Sequence, residues 1–497
     1  MTEDEKRNEN LYFFDKNPAF ADRPAFLTED GFLTTYHDLY ALEDQILGAL
    51  PPRSLIFILC RNHPDPIAGY LGALRLQHVP LLLSGNLSAD KLESLDRLYL
   101  PNAILLPESR HEEFRKSSDL PDFVQEISSG HVLWSDGFYT LLSLRENPPA
   151  MNPDLRLLLS TSGSTGSPKL VRLSAGNLQS NARSIASYLE ITNRERPITS
   201  LPMEYTYGLS VINSHILCGA RILLTDCTFA DQEFWSFLHK YHATSFAGVP
   251  YSYQILYRLG PENLDLSSIR TMTQAGGKLP KELQAFFGSY ARMRRIRFII
   301  MYGQTEATAR MSWLPPEECL RRPGSIGIAI PGGSFSLEDE DGRTVSSPDQ
   351  SGELIYRGPN VSLGTAVSAQ DLMLGDSRHG VLRTGDLARR DADGYYYIIG
   401  RRKRFLKAAG KRLGLDSVES ILRQRWPSCS FICSGTDDHI GIYAVTAESA
   451  GQLPDEKEIL RFLEDSLRIH HSVFYVRYIA EIPRNNAGKI LYSALPD

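Results

Sequence analysis

The segment LLLSTSGSTGSPKLVRLS, residues 157–174, places a polar, glycine-containing loop between two apolar runs. Glycines let a backbone approach a ligand closely, and successive free N–H groups in such a turn bind anions. Lys169 adds a positive point charge of the kind that phosphate sites use. The segment therefore predicts a phosphate-binding loop, and a Ser/Gly linker between two strands stays open as the alternative.

Lys169 does not lie in the sequence context of a Walker A loop. That motif requires Gly-x₄-Gly-Lys-[Ser/Thr] at the start of a helix. Here Pro168 precedes the lysine, and residues 169–174, KLVRLS, alternate between polar and apolar as in a strand. We therefore expect the loop to join two strands, which argues against a P-loop phosphoryl-transfer enzyme.

Length and composition indicate a large globular chain. With 497 residues, 42% of them apolar, the chain is long enough for more than one domain. Its net charge of −6 argues against a general nucleic-acid partner. The N-terminus is charged, and no apolar run reaches the roughly 20 residues of a membrane helix. We expect a soluble, cytoplasmic protein with no membrane span.

The pattern of the chain changes along its length. Short apolar runs such as 54–60 and 296–303 alternate with helical patterns, which predicts an α/β region of mainly parallel strands. From about Gly332, turn residues and period-two alternation indicate a more antiparallel β region. Residues 455–467 predict an amphipathic helix, and 474–483 a strand. We place a domain boundary near 400–404, which divides the chain into residues 1–400 and 401–497.

Further motifs follow the loop in a fixed order. They are LPMEYTYGL at 201–209, TQAGGKLPKEL at 273–283, MYGQTEAT at 301–308, SGELIYRGPNVSLG at 351–364, LRTGDL at 382–387, GRRKRFLKAAGKR at 400–412 and PRNNAGKI at 483–490. This array resembles the motifs of the adenylate-forming superfamily, which includes acyl-CoA synthetases, adenylation domains and luciferases. The resemblance implies a large N-terminal α/β domain with a β-rich subdomain, and a small mobile α+β C-terminal domain.

The resemblance also implies a reaction in two halves. A carboxylic acid attacks the α-phosphate of ATP in the presence of Mg²⁺, which gives an acyl-adenylate and pyrophosphate. A thiol then takes the acyl group and releases AMP. By resemblance, that thiol belongs to CoA or to the phosphopantetheine arm of an acyl or peptidyl carrier protein.

The nucleotide-binding residues are assigned from the same motifs. Thr305 is expected at the α-phosphate, Glu306 at Mg²⁺, Tyr302 at the adenine, and Asp386 with Arg401 at the ribose. Gly303 and Gln304 belong to the same ATP-binding turn, and the backbone at Gly276 and Gly277 closes the other side of the adenine. The β- and γ-phosphates are expected against the opening loop, at Thr161, Ser162, Gly163, Ser164, Thr165, Gly166 and Lys169.

Lys489, in the C-terminal motif, is the strongest catalytic prediction. Its cation is expected to bridge the substrate carboxylate and the α-phosphate, where it reduces the repulsion between two anions. The lysine belongs to the small domain, so it acts only when that domain closes. Lys403 occupies the hinge position of the family, at which the small domain is expected to rotate.

The predicted acid pocket is aromatic, with few polar anchors. Thr206 stands where amino-acid-activating relatives carry an aspartate, which favours a fatty or aryl acid, although the neighbouring Glu204 leaves an amine-bearing acid open. Tyr205 stands where the pocket motif of the family frequently has a histidine, which often gates the access of CoA. The identity of the acceptor is therefore open. Arg310 is expected to form a structural ion pair, with a second substrate carboxylate or hydroxyl as the alternative. The pocket candidates are Tyr205, Thr206, Tyr207, Tyr251, Gly276, Arg310 and Met311.

Three alternatives to an acid–thiol ligase remain open at this point. The first is an amide-forming ligase, and the second is a stand-alone amino-acid-adenylating enzyme. The third is a protein that binds AMP or acyl-adenylate without turnover. The presence of Glu306, Asp386 and Lys489 argues against the third.

Overall fold

The computed structural model describes residues 11–116, 121–160, 169–409, 411–445, 453–484 and 490–496. By chain contacts it divides into two compact units. One unit covers Met1–Ser334 and Tyr356–Leu382, and the other covers Phe335–Ile355 and Arg383–Asp497. The domain boundary predicted near residue 400 stays a prediction. Among the described residues, no helix is both long and apolar enough to cross a bilayer.

Strands of the described residues are numbered in chain order. They are β1 Pro24–Thr28, β2 Leu33–Thr35, β3 Leu55–Cys60, β4 Val79–Ser84, β5 Ala103–Pro107, β6 His131–Ser135, β7 Tyr139–Ser143, β8 Leu155–Ser160, β9 Leu170–Ser174, β10 Pro197–Ile198, β11 Ile222–Leu224, β12 Ser245–Gly248, β13 Thr271–Gln274, β14 Arg297–Tyr302, β15 Ser312–Leu314, β16 Ile328–Ala329, β17 Ser334–Glu338, β18 Ser351–Arg357, β19 Gly364–Ala366, β20 Val381–Arg390, β21 Tyr396–Arg401, β22 Phe405–Ala408, β23 Lys411–Gly414, β24 Ser430–Thr436, β25 His439–Val445 and β26 Phe474–Ile479.

Helices of the described residues are numbered in the same way. They are α1 Tyr36–Leu47, α2 Pro64–Arg75, α3 Ala89–Tyr99, α4 Glu108–Lys116, α5 Asp122–Ser129, α6 Ala175–Tyr188, α7 Thr206–Leu217, α8 Gln232–Lys240, α9 Pro250–Leu259, α10 Lys281–Arg294, α11 Leu415–Arg425 and α12 Glu456–Leu467.

The first unit contains two large sheets, counted over the described residues. One has nine strands in the order β16-β15-β14-β13-β12-β10-β11-β1-β2, and the other has eight in the order β19-β9-β8-β4-β3-β5-β7-β6. The central strands pair in parallel, as β12 does with β13 and β3 with β4. Such strands are covered on both faces by helices, so they consist of continuous apolar residues. Every residue of β3, LIFILC, is buried. The α/β expectation is confirmed.

The opening segment joins two strands, as predicted. Strand β8 ends at Ser160 and β9 begins at Leu170, and the two pair antiparallel, with Ser160 opposite Leu170. Strand β9 leads directly into α6, which is capped by Ser174 and Asn177 in a reciprocal capping box. Strands β8 and β9 are therefore antiparallel partners, and Lys169 precedes a strand, whereas the lysine of a Walker A motif begins a helix.

The second unit holds the predicted antiparallel region and an α+β module. Strands β17, β18, β20 and β21 form a four-stranded sheet within the described residues, in which β20 and β21 pair antiparallel. In the module, β24, β25 and β26 form a further sheet. Helix α12 packs on it through Ile459 and Leu463, both fully buried. Its N-terminus is capped by Asp455, which confirms the amphipathic helix predicted over 455–467.

Arg404 ends the 3₁₀ turn before β22 and connects several elements of the α+β module. Its Nε atom lies 2.7 Å from Asp416 Oδ1, and Nη2 lies 2.6 Å from Glu419 Oε1. The guanidinium also covers the ring of Tyr492 at 4.5 Å, and Glu419 accepts the Cys433 N–H at 2.8 Å. The side chains of Arg404 and Glu419 are only 15% and 14% exposed, so solvent screens their attraction weakly. This ion pair ties β22, α11 and β24 together.

We expect Glu419→Ala to lower the free energy of unfolding of the module by about 3 kcal/mol, because a buried cation loses the more buried of its two carboxylate partners and a buried N–H loses its acceptor. Hydrogen exchange followed by mass spectrometry on peptides from β24 and β25 measures this change. The matched control is Glu464→Ala, which removes an exposed pair with His471 and should cost less than about 0.5 kcal/mol. Equal protection in the two variants would contradict the role given to Arg404.

Candidate active site

Three neighbouring strands bring the predicted loops of the first unit to one edge. Strand β13 pairs in parallel with β12 on one side and with β14 on the other. The carboxyl ends of parallel strands lie at the same edge of a sheet, which is where α/β enzymes bind ligands. Tyr251 follows β12, Gly276 and Gly277 follow β13, and Tyr302 ends β14. The sheet therefore brings together residues that lie up to 51 positions apart in the chain.

The glycine loop after β13 lies directly against an aromatic of the predicted pocket. Gly276 has φ +83°, and a Cβ atom there would lie 2.6 Å from Tyr205 Oη. A Cβ atom on Gly277 would lie 3.1 Å from Pro250 Cγ. A side chain at Gly276 would thus be strained in its backbone and would displace the tyrosine. The predicted adenine side and the predicted acid pocket meet at this contact.

The turn after β14 is tightly folded. A Cβ atom at Gly303 would lie 1.8 Å from the carbonyl oxygen of Ala309, so only glycine fits here. Thr305–Ala307 form a single 3₁₀ turn, and Gln304 Nε2 donates to Tyr302 Oη at 3.2 Å. Thr305 and Glu306 are both half-buried on this turn.

Buried polar side chains from distant segments fasten the turn. The Thr206 hydroxyl donates to the carbonyl of Thr308, and the Thr308 hydroxyl donates to the carbonyl of Asn360 at 2.7 Å. Asn360 Nδ2 donates to the Ala307 carbonyl at 2.9 Å, and Asn181 Nδ2 to that of Arg310 at 2.9 Å. Thr206, which we predict as a wall of the acid pocket, thus donates a hydrogen bond that holds this turn. Sequence reasoning missed Asn181 and Asn360, which have no motif of their own.

Glu306 offers a hard oxygen ligand at the edge of the turn. None of the described cations forms an ion pair with it, so a purely structural salt bridge does not account for Glu306 among these residues. Burial lowers the pKa of Arg378 below its ordinary value, and the Glu306 carboxylate opposes that shift. Mg²⁺ prefers carboxylate oxygens, so the donor chemistry of Glu306 fits the ion predicted for this position. Arg378, which the motifs did not indicate, adds a positive charge nearby.

The aromatic pocket residues form one cluster. Tyr205, Tyr207 and Tyr251 pack into the same apolar group. The rings of Tyr205 and Tyr207 meet edge to face at 6.4 Å, and the Tyr207 hydroxyl bonds to Thr273 Oγ1 at 2.8 Å. Met311 is fully buried and donates its N–H to the Tyr302 carbonyl at 2.8 Å, so it supports the turn from below.

Arg310 does not form the ion pair that we expected. Its side chain is buried, with its guanidinium 5.0 Å from the ring centre of Tyr207. Its hydrogen-bond partners are neutral, namely Ser210 Oγ at 3.1 Å and Tyr188 Oη at 3.2 Å. None of the described carboxylates forms an ion pair with it. The expectation of a structural salt bridge is therefore wrong for this part of the chain.

Glu204, the residue that left an amine-bearing acid open, has a strongly perturbed carboxyl. Burial, with a smaller contribution from the Asp226 carboxylate, raises the pKa of Glu204 to about 7, while a hydrogen bond from Ser84 opposes the shift. The preference for a fatty or aryl acid over an amine-bearing acid stays a prediction.

The second unit holds the predicted ribose residues. Asp386 lies opposite Arg401 in the pairing of β20 with β21, and Arg401 Nε lies 3.2 Å from Asp386 Oδ1. The Asp386 side chain is 3% exposed, while that of Arg401 is 60% exposed. Thr384, Gly385 and Asp386 lie within strand β20.

Several predicted residues lie outside the described part of the chain. They are Thr161, Ser162, Gly163, Ser164, Thr165 and Gly166 of the opening loop, and Lys489. Lys169 is described, and it is exposed immediately before β9. Lys403 is described by its backbone, in a 3₁₀ turn between β21 and β22. The roles of these residues stay predictions.

These loops follow neighbouring parallel strands at their carboxyl edge, the edge at which α/β enzymes bind ligands. The family model described as AMP-binding enzyme matches residues 13–365, and the chain belongs to this family. The superfamily suggested by the motifs is thereby confirmed.

Several relatives are named as acid–CoA ligases. Indoleacetate–CoA ligase of Aromatoleum aromaticum is 29% identical over 487 residues, which cover 92% of this chain and 91% of that protein. A 2-succinylbenzoate–CoA ligase of Bacillus cereus is 30% identical over 343 residues, with 67% and 68% covered. Among solved structures, MenE of Bacillus subtilis with the acyl-adenylate OSB-AMP is 23% identical at a TM-score of 0.72, with 96% of each chain covered. At that identity the likeness shows the fold alone.

We expect Thr206→Val to loosen the turn at Thr305–Glu306, because the buried Thr308 carbonyl loses its donor without a change in side-chain shape. The free energy of local opening should fall by about 1.5 kcal/mol, which corresponds to roughly tenfold faster amide exchange in peptides covering 303–311. Thr206→Ser keeps the hydroxyl and should exchange at nearly the wild-type rate. Equal exchange in the valine variant and the wild type would show that this bond does not hold the turn.

Proposed function

We propose that the chain is an AMP-forming acid–thiol ligase, which activates a carboxylic acid with ATP and transfers the acyl group to CoA. The observation that carries the proposal is the fastened turn Gly303–Arg310, which presents Thr305 and Glu306 beside the Gly276 loop at the carboxyl edge of the parallel strands. Membership of the AMP-binding enzyme family and relatives named as acid–CoA ligases support it.

The nucleotide is assigned to the residues that the family motifs indicate. The hairpin loop between β8 and β9, with Lys169, holds the leaving pyrophosphate, and Thr305 donates to the α-phosphate. Glu306 holds Mg²⁺, which when bound supplies positive charge to the phosphates of ATP. Asp386 accepts hydrogen bonds from the two ribose hydroxyls, since a carboxylate with two oxygens matches a vicinal diol, and Arg401 orients that carboxylate.

Lys489 completes the site for the first half-reaction. The acid carboxylate and the α-phosphate are both anions, and their approach is opposed by charge repulsion. A lysine ammonium placed between them stabilises the charge that reorganises as the acyl–phosphate bond forms. Rotation near Lys403 removes this lysine again and allows CoA to reach the acyl carbon.

The acid is assigned to the aromatic cluster of Tyr205, Tyr207 and Tyr251, in which Tyr205 lies against Gly276. Tyr205, Tyr207 and Tyr251 offer broad apolar contact, which suits an aryl acid or the chain of a fatty acid. CoA is the proposed acceptor because the relatives that match most of this chain are named CoA ligases. A carrier-protein thiol and an amine are the acceptors against which CoA is tested.

The proposal is tested by product analysis. The protein is incubated with ATP, Mg²⁺ and a panel of carboxylic acids, and pyrophosphate release is measured acid by acid. Mass spectrometry then follows the acyl group with CoA, a phosphopantetheinylated carrier protein or an amine as acceptor. AMP, pyrophosphate and an acyl-CoA are expected. Formation of ADP and orthophosphate would overturn the proposal. An amide product would show that the acceptor is an amine and not CoA.

We expect Lys489→Ala to lower the rate of adenylation by about 10²- to 10³-fold, because the transition state loses its bridging cation. Transfer from pre-formed acyl-adenylate to CoA should be retained, because that half-reaction does not use the lysine. Pyrophosphate release and thioester formation are measured separately. Lys457→Ala, which removes an exposed lysine on α12, is the matched control and should change neither. Equal loss of both half-reactions would contradict the domain rotation.

A further inference from the structure

Arg310 carries a buried positive charge that the described chain leaves without a counter-ion. Its side chain is 2% exposed, and its contacts among the described residues are a serine hydroxyl, two tyrosines and the sulfur of Met301. Arginine keeps its proton under all ordinary conditions, so it cannot escape burial by becoming neutral. A buried arginine is therefore usually paired with an anion or bonded to several backbone carbonyls, and Arg310 has neither among the described residues. An anion from outside the chain would satisfy this one.

A cavity opens beside the guanidinium. Its walls include Val211, Ala247, Thr273 and His215 with Arg310. Burial, with a smaller contribution from the Arg310 charge, lowers the pKa of His215 to about 4, so this histidine is neutral at pH 7. Glu195 also lines the cavity, and its carboxylate accepts the Thr244 hydroxyl. The walls are thus mainly apolar, and their charged groups are the Arg310 guanidinium and the Glu195 carboxylate, which do not form an ion pair with each other.

The cavity lies along two strands whose carboxyl ends lead to the position assigned to the acid. Ala247 and Thr273 lie on β12 and β13, the two strands that lead into the Tyr251 and Gly276 segments. The Tyr207 ring contacts the Arg310 guanidinium and the Tyr205 ring, and Tyr205 in turn lies against Gly276. A substrate with one end at the Gly276 loop can therefore extend along Tyr207 towards Arg310.

The geometry points to a dicarboxylic acid as the substrate, with one carboxylate activated at the Gly276 loop and the second bound by Arg310. This inference rests on the proposed function and names its substrate class. A guanidinium presents parallel N–H donors that match the two oxygens of a carboxylate, and the Tyr207 ring, Ser210 and Tyr188 hold it in place for that contact. An acid with a neutral tail would leave the arginine unpaired and is disfavoured.

The test compares each dicarboxylic acid with its own monoamide, which has nearly the same shape and one charge fewer. The panel covers alkyl spacers of increasing length and aryl spacers, and pyrophosphate release gives kcat/KM for each. For the best diacid we expect a kcat/KM about 100-fold above that of its monoamide. Equal kcat/KM values for the pair, across the panel, would overturn the inference and leave the proposed function intact. Activation of no acid at all would overturn both.

Substitution of the arginine adds a second measurement. Arg310→Met should lower kcat/KM for the diacid about 100-fold and leave that for the monoamide unchanged or raised, while Arg310→Lys should recover part of the preference. Arg297→Met is the matched control, because Arg297 donates to the backbone carbonyls of Tyr188 and Leu189 in the same region. If Arg310 had only a structural role, its substitution would lower kcat/KM for the diacid and the monoamide together. We expect that result for the control Arg297→Met. If Arg310→Met fails to fold, the wild-type ratio of diacid to monoamide still decides the question.

Discussion

The parallel pairing of β12, β13 and β14 is the constraint on which the site of the first unit depends. Parallel neighbours point their carboxyl ends the same way, so the segments after these strands must emerge at one edge. A tyrosine, a glycine pair and the Thr305–Glu306 turn are thereby neighbours, although they are far apart in the chain. Loss of this register would scatter the groups that are assigned to adenine, α-phosphate and metal.

Pairing of strands brings the turn to the edge, and buried hydrogen bonds then hold its shape. Thr206, Asn181 and Asn360 each satisfy a backbone carbonyl between Ala307 and Arg310. A buried carbonyl without a donor is costly, so these contacts favour one conformation of the turn over its competitors. Pre-organised donors and carboxylates bind a charged transition state without reorganisation, which is the physical reason for such stiffness at a phosphoryl site.

The sequence pattern predicted many of the secondary-structure elements. The side-chain contacts that it failed to predict have a common cause. The hairpin at 157–174, the antiparallel region after Gly332 and the helix near 455–467 follow from local periodicity, turn residues and a capping aspartate, and all are confirmed. Sequence reasoning missed the Arg404–Glu419 pair and the donors on the turn, and it wrongly expected an ion pair for Arg310. Each of these depends on which side chains meet after folding, and spacing along the chain carries no such information.

Strand and helix types, the hairpin loop and the family of the protein are already contained in the order of residues, because each depends on neighbours within a few positions or on motifs read along the chain. The surroundings of individual charges are not contained there. Arg310 is buried among neutral groups beside a cavity because α6, α7 and β14 pack around it, whereas Asp386 is paired because β20 and β21 place Arg401 opposite it. Burial and partnership are properties of packing, and at Arg310 they turn an ordinary arginine into the residue that selects the substrate we infer.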